Sequence, residues 1–216
     1  MDPTNDILID PKEHPYADIY KLMIGATVPR PIAFVSSLDA GGIRNLAPFS
    51  YFTLCSSNPP YVVFSPAHRG SSKPPKDTLH NVRETGDFVV NTVSEDFLTQ
   101  MNATAADFPA DVDEFAISGL TPIPSERVKS PRVMEAHVQM ECVLHDVITL
   151  SDKPGGGSLV IGEIVLLHVD RTVLENPAKD LFKIDPKKLR AVGRMGGPTY
   201  ARTVDLVDLE RPKWPR

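Results

Sequence analysis

A cluster of basic and hydroxyl side chains between residues 69 and 78 is the part of the chain best suited to binding an anion. Three cations and three hydroxyls lie within these ten residues: Arg69, Ser71, Ser72, Lys73, Lys76 and Thr78. Phosphate groups prefer charge-assisted donors together with the exposed amides of a helix start. Because a helical pattern begins at the end of the cluster, we expect it to bind a phosphate. An ordinary solvated basic loop is the competing interpretation.

The sequence NLAPFS, residues 45–50, is suited to a flat ring. It mixes small side chains, a proline and polar groups within an otherwise apolar stretch. Where side chains are small, backbone N–H and C=O groups can pair with the edge of a ring that carries donors and acceptors. Since Pro48 cannot donate to a neighbouring strand, the pattern also predicts an edge strand or a bulge. An edge strand that binds no ligand is the simpler alternative.

The sequence lacks the motifs of several other kinds of catalytic or binding site. Its six histidines form no H-x-x-x-H pair, and we predict no metal site. The glycine patterns of a P-loop and of a dinucleotide-binding fold are absent, as is G-x-S-x-G. No local pattern marks a cysteine nucleophile, and nothing marks a pair of carboxylates for acid–base work. The motifs therefore identify no catalytic side chain.

The composition is that of an ordinary globular protein. The 216 residues are 41% hydrophobic and 24% charged, which is enough for one sizeable core. The net charge of −5 argues against a nucleic-acid partner. Two cysteines cannot form a disulfide framework, and no apolar run approaches the roughly 20 residues that span a bilayer. We expect one domain over residues 1–216, located in the cytoplasm and without a membrane partner.

Strand patterns dominate the chain and would position both segments. β-Branched and aromatic runs predict strands at residues 32–37, 45–56, 61–65, 88–93, 136–150, 158–170 and 204–209. Helical patterns occur at residues 20–25, 77–84 and 94–106, the second with Asp77 as N-cap and Gly86 at its end. Residues 107–135 have no clear period and should cross the surface. The irregular order favours a mainly β fold, a closed antiparallel barrel with inserted helices.

Three separated stretches, in the same order, carry a resemblance to a known family. They are RPIAFVSSLDAGGIRNLAPFSYFTLCSSNPPYVVFSP at residues 30–66, PPKDTLHNVRETGDFVVNTV at 74–93 and VGRMGGPTYART at 192–203. Together they resemble the flavin reductase-like family, whose fold is the FMN-binding split β-barrel. The similarity covers about residues 20–203, which leaves N- and C-terminal extensions. Members of the family are typically homodimers that bind FMN non-covalently near the subunit interface.

The resemblance also implies a set of cofactor-binding residues. Those that would meet the isoalloxazine ring and ribityl chain are Asn45, Ala47, Pro48, Phe49 and Ser50, with Arg30 and Ser36 facing the same site. Those that would surround the phosphate are Ser65, Arg69, Lys76, Asp77 and Thr78. Arg194 and Tyr200 would cover the flavin or the nicotinamide pocket, from either subunit.

The activity that the resemblance implies is NAD(P)H-dependent flavin reduction. Hydride transfer from NADH or NADPH to FMN needs no acid or base from the protein, in keeping with the missing catalytic motifs. Arg30, or donors near the pyrimidine edge of the ring, would stabilise the anionic reduced flavin. Reduced FMN would then pass to a partner monooxygenase or another electron acceptor. The alternatives are an electron-transfer flavoprotein that holds FMN permanently with little NAD(P)H turnover, and a barrel that binds no flavin.

Overall fold

The protein is built mainly of β-strands, as the sequence predicts. A computed structural model describes residues 5–68 and 76–214. The strands are β1 (Ala33–Leu38), β2 (Arg44–Phe49), β3 (Phe52–Ser57), β4 (Pro60–Phe64), β5 (Asp87–Thr92), β6 (Pro122–Ile123), β7 (Arg132–Val133), β8 (Val138–Thr149), β9 (Ser158–Val169), β10 (Leu174–Asn176), β11 (Asp180–Ile184), β12 (Val192–Arg194) and β13 (Tyr200–Arg202). The α-helices are α1 (Tyr16–Ala26), α2 (Asp77–Thr85), α3 (Leu98–Ala103), α4 (Glu114–Ser118) and α5 (Pro186–Leu189), with 3₁₀ turns at Glu95–Phe97 and Arg171–Val173.

The main sheet curls until its two edges meet. Seven strands lie in the order β2-β1-β5-β8-β9-β4-β3, and each neighbouring pair is antiparallel. The edge strands β2 and β3 are separated in the chain by only Ser50 and Tyr51. Three Cα–Cα steps span at most about 11 Å, so the opposite edges must come together. Within the described ranges β2 and β3 are not paired with each other, which leaves a split barrel.

The barrel interior holds the first of two core clusters. It combines buried residues of β1, β2, β4, β5, β8 and β9. Phe49 of β2 and Phe64 of β4 have ring centroids 5.1 Å apart, although their strands lie near opposite ends of the strand order. Leu79 and Val82 of α2 enter the same cluster. Helix α2 therefore packs into the barrel, and this contact sets where its N-terminus lies.

The second core cluster corrects the prediction that residues 107–135 cross the surface. Phe115, Leu120 and Val133 are each at most 4% exposed and pack with Phe34 and Phe97 on the other side of the sheet. The segment has little regular structure, and side-chain carboxylates accept hydrogen bonds from its backbone instead. Asp87 accepts from the amides of residues 129 and 130, and Glu141 accepts from those of residues 126 and 127.

Several predicted boundaries also differ from the structure. Residues 45–56 form two strands, because the chain turns at Ser50 from one edge of the sheet to the other. Residues 94–106 form a 3₁₀ turn followed by the short α3, and residues 204–209 form no strand and are mostly exposed. Asp77 is the first helical residue of α2, with Lys76 at the N-cap. The predicted C-terminal Gly86 is confirmed, with φ of 77°. None of the described helices is long and apolar enough to cross a bilayer.

The packing of Gly162 in β9 gives a test of the barrel interior. A Cβ added to Gly162 would overlap the Phe88 ring and lie 3.2 Å from the Cβ of Cys142. We expect Gly162→Ala to lower the free energy of unfolding by about 1–3 kcal/mol through overpacking, as measured by urea denaturation.

The matched control is Gly25→Ala in α1, where an added Cβ meets no atom within 4 Å. Helix propensity favours alanine there, so stability should stay the same or rise by up to about 1 kcal/mol. If Gly162→Ala is as stable as the wild type, Phe88 does not pack against β9 as the structure has it.

Candidate functional site

A cavity opens where the two edges of the sheet meet. It encloses about 880 Å³, counting the space at its mouth. Its wall is formed by β2, the turn after β2, the chain after β4, the N-terminus of α2, the chain after α3 and the first residue of α4, with Tyr20 of α1. Nine of the sequence-predicted residues line it: Asn45, Ala47, Pro48, Phe49, Ser50, Ser65, Lys76, Asp77 and Thr78. The structure therefore brings the predicted ring segment and the described part of the predicted phosphate segment into one cavity.

The turn at Ser50 and Tyr51 is fixed to the strand end that precedes the basic cluster. The amide of Ser65 donates to the carbonyl of Tyr51 over 2.8 Å. On the other side of Ser65, a side chain at Gly157 would come within 2.7 Å of the Ser65 Oγ. The glycine-rich loop between β8 and β9 thus supports this wall of the cavity, and Gly157 leaves the space that Ser65 needs.

The backbone of β2 offers acceptors on the side that faces away from β1. The amide of Leu46 donates to Glu114 Oε2 over 3.0 Å, which shows that Leu46 points its polar groups outward. In an antiparallel strand every second residue points the same way, so Pro48 also faces outward. Proline has a carbonyl oxygen but no N–H. The prediction that this segment forms an edge strand is confirmed. The exposed edge of β2 can accept hydrogen bonds from a ring but offers few N–H donors.

The N-terminus of α2 lines the cavity through Lys76, Asp77 and Thr78. The first amides of a helix have no partner inside the helix and carry partial positive charge. The ammonium of Lys76 lies 2.7 Å from Asp107 Oδ1, in an ion pair whose side chains are 31% and 59% exposed. Such an exposed pair contributes at most about 1 kcal/mol, so Lys76 can exchange this partner for an anion in the cavity.

Buried hydrogen bonds join α2 to the sheet behind the cavity wall. Thr78 Oγ1 donates to Asn45 Oδ1 over 2.6 Å. Asn45 Oδ1 also accepts from Ser37 Oγ at 3.4 Å, and Asn81 Nδ2 donates to the same Ser37 Oγ at 3.2 Å. These four side chains are at most 7% exposed. They fix the first turn of α2 against β1 and β2, and with it the position of the helix N-terminus.

Glu114 is a cavity residue that the sequence reasoning missed. It is 6% exposed, and its Oε1 accepts from Asn45 Nδ2 over 3.0 Å. Burial raises the pKa of Glu114, and the nearby Asp77 adds to the effect, although hydrogen bonds from Leu46 and Asn45 oppose it. One local feature of the sequence indicates the helix that carries Glu114: Asp113, a typical helix cap, comes directly before the run EFAIS. In the structure Asp113 caps α4 by accepting from the amide of Phe115.

Arg30 and Ser36 do not line this cavity. Arg30 is 5% exposed, and its guanidinium donates to the carbonyl oxygens of Ile24, Thr27 and Met195. Its Nε donates to Ser50 Oγ over 3.3 Å, so the charge lies behind the cavity wall. Ser36 is fully buried and donates to the carbonyl of Pro131. The prediction for Arg69 lies outside the described residues.

Arg194 and Tyr200 line a second cavity that adjoins the first. The two cavities share Pro48, Ser50 and Ala105 as wall residues. The guanidinium carbon of Arg194 lies 4.5 Å above the ring of Tyr200, whose hydroxyl donates to Asn102 Oδ1 over 2.8 Å. The described residues contain no cluster of three or more potential metal ligands.

Comparison with known proteins identifies one family. Residues 25–183 match the family model described as flavin reductase like domain. Nitrilotriacetate monooxygenase component B from Bacillus cereus is 36% identical with a TM-score of 0.87, over 95% of this chain and 100% of that one.

Two further solved structures are similar over nearly the whole chain. The 2-nitrobenzoate 2-nitroreductase NbaA of Pseudomonas fluorescens is 32% identical with a TM-score of 0.84, over 95% of this chain and 96% of that one. A split barrel domain from Shewanella frigidimarina shares the fold, with 22% identity, a TM-score of 0.79 and coverage of 96% and 100%.

The contacts of Arg30 predict that replacing its side chain lowers the stability of the fold. Arg30→Met keeps an unbranched apolar stem but leaves three backbone carbonyls near the cavity without their charged donor. We expect the free energy of unfolding to fall by about 3 kcal/mol or more, since each unsatisfied buried group costs about 1–3 kcal/mol. Arg83→Met is the control, because Arg83 is exposed and its guanidinium donates to the exposed Thr149 Oγ1. Its change should stay within about 0.5 kcal/mol. Equal effects of the two substitutions would contradict the structural role of Arg30.

Proposed function

The chain belongs to the flavin reductase-like domain family, and we propose that it binds FMN and reduces it with NADH or NADPH. The observation that carries this proposal is the single cavity that joins an acceptor-rich strand edge to a helix N-terminus. A flavin nucleotide has a flat ring with a donor on its pyrimidine edge at one end and a phosphate at the other. Both ends of the cavity suit these groups.

The ring would lie against β2. Ala47 and Pro48 have small or flat side chains there, and the outward carbonyl of Pro48 suits a ring N–H. Ser50 would contact the ring or the ribityl chain. Since Arg30 donates to Ser50 Oγ, Arg30 acts by holding Ser50 in place, and its buried positive charge favours negative charge on a nearby ring.

The phosphate would lie at the N-terminus of α2. The amides of the first turn and the ammonium of Lys76 are its donors, and the hydroxyls of Ser65 and Thr78 lie on the same wall. Arg69 would add a further cation from the sequence segment that precedes α2. Asp77 follows the N-cap, where a carboxylate stabilises the helix through the dipole.

The bound FMN would supply the redox chemistry, accepting a hydride from the nicotinamide. The protein would contribute binding and orientation, with no proton-transferring group of its own. The adjoining cavity lies next to the ring side, because it shares Pro48 and Ser50 with the first. We assign it to the nicotinamide, with Arg194 and Tyr200 as its wall.

Two features support a homodimer and a partner protein. Two apolar side chains of β3 are exposed at the sheet edge, Leu54 at 62% and Cys55. A second copy would cover these apolar groups. The Bacillus cereus relative is named as a component of a monooxygenase, so reduced flavin from this protein would serve a separate monooxygenase.

A second candidate is the reduction of an organic substrate on permanently bound FMN. The similarity to 2-nitrobenzoate 2-nitroreductase, at 32% identity over nearly the whole chain, favours it. Both functions use the same FMN site, and they differ in what enters the adjoining cavity after the nicotinamide leaves.

The proposed activity is tested by spectroscopy on the full chain. Protein incubated with FMN and desalted should keep the visible flavin absorption, which NADH or NADPH should bleach in the absence of air. With air, NAD(P)H oxidation should depend on added FMN. A colourless protein after desalting, combined with no FMN-dependent oxidation, would refute the proposal. Bleaching only by a reduced protein donor would favour an electron-transfer role. NAD(P)H-dependent consumption of 2-nitrobenzoate by the desalted, FMN-loaded protein, without further FMN, would favour the nitroreductase.

The phosphate assignment predicts the effect of charge reversal at Lys76. Lys76→Glu should weaken FMN binding roughly 10- to 100-fold, because a charge-assisted hydrogen bond of about 1.5–3 kcal/mol is lost. Riboflavin, which has no phosphate, should bind the variant as it binds the wild type. Both are measured by quenching of flavin fluorescence.

Lys179→Glu is the matched control, because Lys179 is exposed in the turn between β10 and β11. It should leave both affinities unchanged. An unchanged FMN affinity in Lys76→Glu would remove Lys76 from the phosphate site.

A further inference from the structure

Three buried side chains form a hydrogen-bond relay that ends at the proposed phosphate site. Glu114 Oε1 accepts from Asn45 Nδ2 over 3.0 Å, and Asn45 Oδ1 accepts from Thr78 Oγ1 over 2.6 Å. The three side chains are 6%, 7% and 1% exposed, and all three residues line the cavity. The relay thus connects α4, β2 and the N-terminus of α2.

The charge state of Glu114 fixes the direction of every bond in this relay. An ionised carboxylate can only accept, so Asn45 must turn its NH₂ group toward Glu114. Its carbonyl oxygen then faces Thr78, and the Thr78 hydroxyl must donate to it. The hydroxyl hydrogen of Thr78 therefore points away from the cavity, and only oxygen lone pairs remain for a ligand. A phosphate needs donors, so this direction is unfavourable for binding it.

We propose that Glu114 is a positioning residue whose protonation reverses the relay, so that a phosphate binding beside Thr78 is accompanied by uptake of one proton at Glu114. The proposal rests on the proposed function, which places the FMN phosphate at α2. The proton comes from solvent and forms an O–H bond at Glu114 Oε1. The side-chain amide of Asn45 flips, so that its Oδ1 faces Glu114 and accepts from this new O–H.

The reversed relay satisfies each of its members. Asn45 Nδ2 donates to Thr78 Oγ1, and the Thr78 hydroxyl donates to the phosphate. The second N–H of the Asn45 amide meets Ser37 Oγ, which also accepts from Asn81 Nδ2 and must turn its own hydrogen away from Asn45. Glu114 Oε2 keeps its hydrogen bond from the amide of Leu46. The reversal gives up one long hydrogen bond, from the Ser37 hydroxyl to Asn45 Oδ1 at 3.4 Å, and keeps or replaces the other hydrogen bonds of the relay.

The charges around Glu114 favour uptake of a proton. Burial raises its pKa, and Asp77 on α2 raises it further. At the N-cap of α4, Asp113 is paired with Arg44 of β2, and at the N-cap of α2, Lys76 is paired with Asp107. A phosphate adds negative charge to this side of the cavity and raises the pKa of Glu114 again. Because the pKa is higher in the bound state, FMN should bind more tightly at lower pH and more weakly as pH rises through the bound-state pKa.

The test measures FMN affinity and proton uptake in parallel by calorimetry, in buffers that differ in ionisation enthalpy. A buried Glu can titrate as high as about pH 8–9, so the series runs from mildly acidic to mildly alkaline pH. For the wild type we expect uptake of up to about one proton and an affinity that falls by up to about tenfold per pH unit. Riboflavin binding should show neither effect.

Glu114→Gln is the decisive variant, because its amide mimics the protonated acid. Its Nε2 can donate to Asn45 while its Oε1 accepts from Leu46. We expect FMN binding at least as tight as in the wild type, without the extra proton uptake. The second ionisation of the FMN phosphate, near pH 6, is common to both proteins and cancels in the comparison.

Two more variants test the role of Thr78 and provide a control for the loss of a carboxylate. Thr78→Val removes the hydroxyl with little change in shape, and should abolish the uptake while riboflavin still binds. Glu135→Gln changes a carboxylate that also accepts a backbone amide, from Thr121, but does not line the cavity; it should keep the wild-type pH slope.

The outcomes separate this inference from the proposed function. FMN binding in the wild type without proton uptake, or the same pH slope in Glu114→Gln as in the wild type, would overturn the relay and leave the flavin site standing. Absence of FMN binding in every protein would overturn both. Loss of the slope in Glu114→Gln and Thr78→Val, with the slope kept in Glu135→Gln, would support the relay.

Discussion

The turn at Ser50 and Tyr51 is the constraint on which the site depends. It carries the chain from β2 at one edge of the sheet to β3 at the other, so the sheet can only exist in a curled form. Arg30 fixes this turn, since one guanidinium joins Ser50 to carbonyls at the end of α1 and in the C-terminal glycine-rich segment. The barrel split and the cavity beside it are therefore consequences of a single short connection.

An open sheet edge normally invites pairing with another strand, and here it becomes the wall of a binding cavity. Two features of β2 prevent such pairing. Pro48 has no N–H, and the outward amide of Leu46 is taken by Glu114. What remains on that edge is a set of carbonyl acceptors next to small side chains. The residues that protect the edge from aggregation are thus the same ones that adapt it to a ring with a hydrogen-bond donor.

The sequence predicts the local features of this protein and misses those that depend on long-range contacts. Gly86 ends α2 as expected, because a left-handed residue at a helix end is a local requirement. Residues 45–56 read as one strand, because the apolar pattern continues through a turn that only the curled sheet demands. Arg30 was expected at the flavin, whereas its guanidinium bonds to the nearby carbonyls of Ile24 and Thr27 and to that of Met195, which is 165 residues away. Most of the cavity residues were predicted through family resemblance, since composition alone left the basic loop ambiguous.

Two buried glutamates show why Glu114 differs from a purely structural carboxylate. Both Glu114 and Glu141 accept backbone amides and so anchor segments with little regular structure. For Glu141, burial alone would raise the pKa, but hydrogen bonds from residues 126 and 127 and from His168 outweigh it and the pKa is lowered. For Glu114, burial raises the pKa and the nearby Asp77 raises it further, and these effects outweigh the hydrogen bonds from the Asn45 side chain and the Leu46 amide. A carboxylate in this situation responds to added negative charge, and Glu114 is the one of the two that lines the cavity where a phosphate would bring it.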